Sequence, residues 1–323
     1  MILLQNILVS INCITYNHEE FIAEAIESFL MQKTNFNYEI LIHDDASTDS
    51  TAEIIREYEK KYPDLIKPIY QKENQYSKGN PVDRINMRRA KGKYIAICEG
   101  DDYWLDPYKL QKQTDYMEKH PECSLCVHGG EVVNASEKKT ISYNSANKGN
   151  KDFRVEEVIE GGGALFITNS MFYPFKFHSE RPKFLDLTSV GDYPLAINLS
   201  LLGTVHYLDE FMSAYREGVS GSWTDRNMSS LKRKTEHYDE IANMLDEVNQ
   251  YTNYQYENSI NKRKYTDQLF LLLEQGKFRE AKTGKYKDIY LELGYKKKIF
   301  IFMDQYCSSI SKVLRVAKRR LIR

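Results

Sequence analysis

Over the first 128 of 323 residues, short β-branched apolar runs alternate with stretches of helical spacing, joined by links of only a few residues. Residues 7–14 read as a buried strand, and 38–43, 65–70, 94–98 and 124–128 predict four more. Between them, Phe21, Ile22, Ala25, Ile26, Phe29 and Leu30 mark one face of a helix over 19–32. Ser47-Thr48-Asp49 opens a second helix, 81–90 forms a third that Gly92 ends, and Pro107 suits the first turn of a fourth running toward His120. Such alternation predicts an α/β fold: a doubly wound, mostly parallel sheet with right-handed crossovers. Ligands of such sheets bind beyond the carboxyl ends of the strands. The segments after Ile14, His43 and Cys98 are therefore the places to look for chemistry.

Beyond that core, residues 134–150 are polar and predict a loop or irregular hairpin. Gly161-Gly162-Gly163 predicts a flexible turn, followed by an apolar, strand-like stretch to Thr168. A helix is expected over 194–202. After about residue 227 the pattern is helical throughout. This sets a domain of 1–225 and a helical C-terminal region of 226–323.

With 45 Lys and Arg against 46 Asp and Glu, the chain lacks the basic surplus of a nucleic-acid binder. The balance hides an asymmetry: residues 294–323 hold nine Lys or Arg and one Asp, so the remainder is acidic by about as much as the tail is basic. No apolar run approaches the roughly 20 residues of a membrane-spanning helix, and the first residues do not resemble a secretory signal. Five scattered cysteines make no disulfide framework, which points to a reducing, cytoplasmic setting. The compact set His120, Cys123, Cys126 and His128 reads as buried small side chains more readily than as a zinc site, because a strand scatters them over two faces.

The strand ending at His43 runs into Asp44-Asp45-Ala46-Ser47-Thr48-Asp49, and the one ending at Cys98 runs into Glu99-Gly100-Asp101-Asp102-Tyr103-Trp104. Adjacent carboxylates repel unless donors or a cation meet them. Asp44 and Asp49 can be turn and cap residues. The second cluster can be a solvated turn, yet two such clusters at two strand ends of one sheet favour a ligand. Oxygen-only donors suit Mg²⁺ or Mn²⁺, which share their shell with water and substrate phosphate.

With Val9-Ser10-Ile11, Thr15-Tyr16-Asn17 and Gly92-Lys93-Tyr94-Ile95, these motifs resemble the inverting glycosyltransferases of family 2, which have the GT-A fold, across about residues 6–222. The resemblance implies that Thr15, Tyr16 and Asn17 lie against a nucleoside and that Asp45 hydrogen-bonds its base with Asp44 beside it. It implies that Asp102 binds a Mn²⁺ or Mg²⁺ ion bridging the diphosphate, that Asp101 contacts ribose or metal, and that Glu99 stands where the family usually has Asp. Val190-Gly191-Asp192-Tyr193-Pro194 resembles the acceptor-side motif, which makes Asp192 the general base. A helix cap is its alternative role. Tyr215-Arg216-Glu217-Gly218-Val219-Ser220 resembles the loop that closes over the diphosphate, with Arg216 and Ser220 as donor contacts. Many members carry a His soon after the Arg, where this chain has Glu217-Gly218.

The expectation is a metal-dependent enzyme moving a sugar from a nucleoside-diphosphate donor to a hydroxyl of a glycan or lipid-linked acceptor, with inversion, in cell-surface polysaccharide synthesis. Apolar positions at helical spacing from Ile299 to Leu321, flanked by Lys and Arg, predict a basic amphipathic helix for an anionic membrane surface on the cytoplasmic side. A helix packed on the protein is the alternative. A sugar nucleotidyltransferase would need a glycine-rich basic loop where Thr15 to Glu20 stand. A non-catalytic binding subunit would be expected to lack Asp192 or the acidic motif. A dinucleotide dehydrogenase would need a Gly-x-Gly-x-x-Gly turn after the first strand.

Overall fold

The structure is a computed structural model that describes residues 6–178 and 181–306. These fall into two compact units: one takes the chain up to Val155 with Gly163–Arg181 and Ala196–Glu217, the other takes Glu156–Gly162, Pro182–Leu195 and the residues from Gly218 onward.

The first unit is built on one mixed sheet. Its leading half follows the predicted alternation: β1 (Ile7–Thr15), α1 (Ile22–Leu30), β2 (Asn37–Asp44), α2 (Thr51–Lys61), β3 (Ile66–Tyr70), α3 (Asp83–Met87) and β4 (Tyr94–Ile97). Strands β3, β2, β1 and β4 lie side by side, all parallel. Strand β1 is central, and Val9, Ser10, Ile11, Asn12 and Cys13 are buried on both of its faces, as a covered parallel sheet requires. Its polar members are satisfied. Ser10 donates to Glu39 at 2.7 Å, and Asn86 donates to Asn12 Oδ1 at 2.9 Å and to two main-chain carbonyls. Gly92 is fixed by packing: a Cβ there would stand 2.4 Å from the Ser10 nitrogen.

The second half of the sheet departs from the parallel pattern. Along the chain follow β5 (Tyr103–Trp104), α4 (Lys109–Lys119), β6 (Cys123–Asn134), β7 (Thr140–Asn144), β8 (Lys151–Phe153), α5 (Val155–Gly161), β9 (Phe172–Pro174), α6 (Asp192–Leu202) and β10 (Thr204–Glu217), with α5 beyond Val155 and the first turn of α6 belonging to the second unit. Strand β9 inserts antiparallel between β4 and β6, β10 runs parallel to β6, and β5 and β8 pair antiparallel with β10. The 134–150 stretch is a hairpin, with β7 folding back on β6. The apolar stretch to Thr168 is not a strand; it leads into a 3-10 turn at Thr168–Ser170. The expected closing loop around Arg216 is, up to Glu217, the end of β10.

The second unit is helical: α7 (Trp223–Asn227), α8 (Leu231–Tyr251), α9 (Glu257–Glu274), α10 (Lys287–Glu292) and α11 (Tyr295–Tyr306). Helices α8 and α9 bury Ile241, Met244, Leu245 and Val248 on one and Ile260 and Leu269 on the other. Arg263 and Asp267, one turn apart on α9, are ion-paired. No described helix is long and apolar enough to cross a membrane. The basic amphipathic tail expected up to Leu321 lies outside the described residues from 307 onward.

Candidate active site

The carboxyl ends of β1, β2 and β4 meet in one cluster of loops. The β1–α1 loop is stitched to the β2–α2 loop by side-chain bonds. Asn17, in the left-handed region at φ 55°, accepts the Thr48 amide at 2.8 Å and donates its own to Ser47 Oγ at 2.9 Å. The His18 amide donates to Thr51 Oγ1 at 2.8 Å, and Glu19 and Asp49 exchange bonds with each other's loop. The Tyr16 ring, 39% exposed, is left outside this lattice.

Asp44 and Asp45 do different work. Asp44 accepts the amide and hydroxyl of Ser47, closing its own turn. Burial raises its carboxyl pKa against the opposing Ser47 bonds. Ala46 follows at φ 63°, a strained position for a residue with a Cβ. Asp45 is buried, and its two oxygens accept the Gln75 amide at 2.8 Å and the Tyr76 amide at 3.0 Å. Asn74 Nδ2 donates to the Asp45 carbonyl at 3.1 Å. Asp45 therefore holds the 74–76 segment beside the strand ends, with Tyr76 exposed on it. His43, wholly buried with its Nε2 3.7 Å from Asp45, has its pKa lowered by desolvation, so the ring is neutral there.

The turn after β4 is drawn tight against β1. Cys98 and Gly100 donate their amides to Asn12 and Ile14 carbonyls at 3.1 and 2.9 Å. A Cβ on Gly100 would lie 2.6 Å from Thr15 Oγ1, a buried hydroxyl with no hydrogen-bond partner. Asp102 points inward and is 1% exposed. One oxygen accepts the Arg216 amide at 2.8 Å, the other Asn169 Nδ2 at 2.9 Å. Asn169 in turn accepts Ser213 Oγ at 2.6 Å and donates to Ala214 O at 2.9 Å. Burial, with Asp101 and Glu99 alongside, holds the Asp102 carboxyl well above the usual range. Arg216 is buried between the rings of Phe21 and Tyr103, and its guanidinium binds the Asp101 carbonyl and the Glu24 carboxylate. Asp101 is partly exposed, with its Oδ2 3.8 Å from His18 Nε2. Glu99 is exposed.

Among the described residues no three His, Cys, Asp or Glu side chains close into a ready cation cage. The donor set still suits a hard cation. Partly open carboxylates on a tight turn fit an ion that draws the rest of its shell from phosphate and water. The unpartnered Thr15 hydroxyl marks polar capacity left unused beside the same turn.

In the second unit, Asp192 opens α6 and its Oδ1 accepts the Tyr193 amide at 2.7 Å. Tyr193 is buried and donates its hydroxyl to Ile159 O at 2.6 Å, fixing the start of that helix. Ser220 is exposed between Gly218 and Gly221, which both have positive φ.

The profile of glycosyl transferase family 2 matches residues 10–177. The chain belongs to that family. An uncharacterised protein of Mycobacterium tuberculosis is 37% identical over 225 residues, covering 68% of this chain and 62% of that protein. The family 2 chain thus spans under two thirds of that relative's length. A UDP-Glc:α-D-GlcNAc-diphosphoundecaprenol β-1,3-glucosyltransferase of Escherichia coli, WfaP, is 40% identical over 112 residues, 34% of this chain and 41% of that enzyme. Among solved structures, Staphylococcus aureus TarS 1-349 in complex with UDP superposes with a TM-score of 0.58 at 16% identity, over 93% of this chain and 81% of that one. The mannosyltransferase PcManGT of Pyrobaculum calidifontis, in complex with GDP-Man and Mn²⁺, gives 0.52 at 13% identity over 95% and 86%. The fold of this family 2 member is GT-A, a mixed curled sheet with helices.

The structure brings Thr15, Asn17, Asp44, Asp45, Asp101, Asp102, Glu99 and Arg216 onto adjoining strand ends of the first unit. It revises where three of them point. Asp102, expected to face a cation, spends both oxygens on Arg216 and Asn169. Asp45, expected to face a base, spends both on a neighbouring loop. Arg216, expected on a loop closing over the diphosphate, is a buried strand residue. His18, Asn74 and Asn169 were not singled out from the sequence for this site. His18 directly follows Thr15-Tyr16-Asn17, but its partner Asp101 is 83 positions away, and that of Asn169 is 67 positions away.

Proposed function

We propose that this protein is a metal-dependent inverting glycosyltransferase. It transfers a sugar from a nucleoside-diphosphate donor to a hydroxyl of a glycan or lipid-linked saccharide, in the synthesis of a cell-surface polysaccharide. The observation that carries the reading is the Glu99–Asp102 turn, braced against β1 and β10 in a family 2 chain, with Asp101 left partly open. Support for the donor comes from the UDP and GDP-Man complexes of structural neighbours, and for the acceptor from the diphosphoundecaprenol substrate in the name of WfaP.

Asp101, with Glu99, holds Mn²⁺ or Mg²⁺, while Asp102 positions the turn from behind. When bound, the cation neutralises charge developing on the departing diphosphate. Thr15, Tyr16, Asn17 and the 74–76 segment held by Asp45 receive the nucleoside. Asp192 takes the proton of the acceptor hydroxyl as that oxygen attacks the anomeric carbon. Attack on the face opposite the leaving diphosphate inverts the configuration. Ser220 belongs to a turn that contacts the donor. Residues 1–225 make up the catalytic domain and 226–323 its helical appendage, whose basic end docks on the anionic inner face of the membrane.

A thermal-shift screen of UDP, GDP, dTDP and CMP, each with and without Mn²⁺, tests this. Ligands that bind only the folded state raise its melting point. A shift that needs one nucleoside diphosphate together with Mn²⁺ is expected. No shift with any of them would overturn the donor assignment.

A further inference from the structure

We propose that His18 is a nitrogen ligand of the catalytic cation, completing with Asp101 a mixed imidazole–carboxylate pair at the carboxyl ends of β1 and β4. This rests on the metal-dependent reading above and extends it to a residue outside the acidic motif.

His18 Nε2 stands 3.8 Å from Asp101 Oδ2. That is too long for a hydrogen bond. It exceeds by less than an ångström the separation of about 3 Å between adjacent ligands on an octahedral ion with bonds of about 2.1 Å, a gap that a small side-chain rotation closes. The ring is held in place before any ligand arrives. The His18 amide is fixed by Thr51 Oγ1 at 2.8 Å, and its carbonyl accepts the Phe21 and Ile22 amides at 2.9 and 2.8 Å. One turn on, the Phe21 ring meets it edge-on. Nδ1 is buried without a partner, which leaves Nε2 as the nitrogen turned toward Asp101.

A second observation at the same turn is independent of the carboxylates. Thr15 Oγ1 is buried, has no hydrogen-bond partner, and abuts Gly100. A buried hydroxyl left unpaired costs stability, so it marks a place where a ligand or its ordered water is expected. Thr15 and His18 both come from the β1 end and both face the turn that carries Asp101. Such a cation takes few protein ligands, here His18 beside Asp101 and Glu99, since donor phosphates and water supply the rest. The chemistry has a consequence for ion choice: Mn²⁺, a first-row transition metal, accommodates an imidazole more readily than Mg²⁺, which keeps a strict octahedral shell of oxygens. The Glu217-Gly218 sequence after Arg216 offers no imidazole from that side.

The test is electron spin-echo spectroscopy on the full chain loaded with Mn²⁺ in the presence of UDP and, separately, GDP. Nitrogen-14 modulation characteristic of imidazole is expected, and it should change to the nitrogen-15 pattern when histidine alone is ¹⁵N-labelled. His18→Gln should remove the modulation while Mn²⁺ stays bound about tenfold more weakly, with Mg²⁺ affinity nearly unchanged. Mn²⁺ that binds without histidine nitrogen coupling in the wild-type chain would overturn the ligand role and leave the transferase reading standing. Modulation that survives in His18→Gln would assign the nitrogen to another histidine and overturn it equally. If Mn²⁺ fails to bind with either nucleotide, both this inference and the metal-dependent reading fall.

Discussion

The Asp102 carboxylate accepts the backbone N–H of Arg216 at 2.8 Å, joining two positions 114 residues apart. Its other oxygen takes Asn169, which is itself bound to Ser213 and Ala214. One buried carboxylate thus ties the acidic turn to β10 and to the 3-10 turn at Thr168–Ser170. Neighbouring acidic residues on one turn have divided the labour: Asp102 builds, and Asp101 remains partly open.

That division separates two variants. Asp102→Ala leaves the Arg216 amide and one N–H of Asn169 Nδ2 buried without an acceptor, at about 1–3 kcal/mol each, while Asn169 keeps its bond to Ala214 O. A stability loss of that order is expected in urea titration, together with weakened donor binding. Asp101→Asn should leave the urea midpoint nearly unchanged and remove the Mn²⁺-dependent part of the thermal shift. Equal stability of the two variants would refute the assignment of Asp102 as the structural partner.

The split was beyond the reach of the sequence because it depends on partners 67 and 114 residues away. What was legible is what local pattern encodes. β1 to β4 and the helices between them carry continuous apolar runs or one-faced spacing, and they appear where expected to within a few residues. β10 escaped because its alternation is broken: Asp209, Glu210 and Phe211 are exposed in mid-strand, and its register with β6 shifts at Leu208/Phe211 and again at Phe211/Ser213. β5 is two residues long and exists only through its pairing with Ser213 and Ala214. The same missing strand explains why Arg216 read as a loop residue. Asp45 read as a base ligand because nothing local shows that the 74–76 amides come to meet it.

Gly92 offers a test of packing alone. A Cβ would meet the Ser10 main chain at 2.4 Å and the Val9 carbonyl carbon at 2.6 Å, both backbone atoms of the central strand that cannot swing aside. Gly92→Ala should cost about 1–3 kcal/mol by overpacking. A melting point within a degree of wild type would show that β1 and β4 can separate more easily than their register implies.

Lys109 should make stability depend on pH. Its ammonium is wholly buried over the Trp104 ring at 4.2 Å, with Gln113 Oε1 at 2.8 Å. Desolvation lowers its pKa to about 7. Between that value and the ordinary lysine range near 10.5 the unfolded chain binds the proton and the folded chain does not. Stability from this group therefore rises with pH across that window, by up to about 1.4 kcal/mol per unit, and is flat below pH 7. Lys109→Met should flatten the slope of urea stability measured from pH 7 to 10 relative to wild type. Parallel slopes would mean that the ammonium finds water or a counter-charge in the folded state.

Asp192 tests the chemistry rather than the binding. Its carboxylate caps the first amide of α6 through Oδ1 at 2.7 Å, and an amide oxygen at the same position keeps that bond. Asp192→Asn should therefore fold as wild type and retain the nucleotide- and Mn²⁺-dependent thermal shift. It loses the proton acceptor, so transfer should fall by about 10²–10⁴ with donor affinity unchanged. Separating donor hydrolysis from transfer sharpens the result, because water reaching the donor does not need the acceptor's base in the same position. Near-normal transfer in Asp192→Asn would remove Asp192 as the base and return it to the role of helix cap.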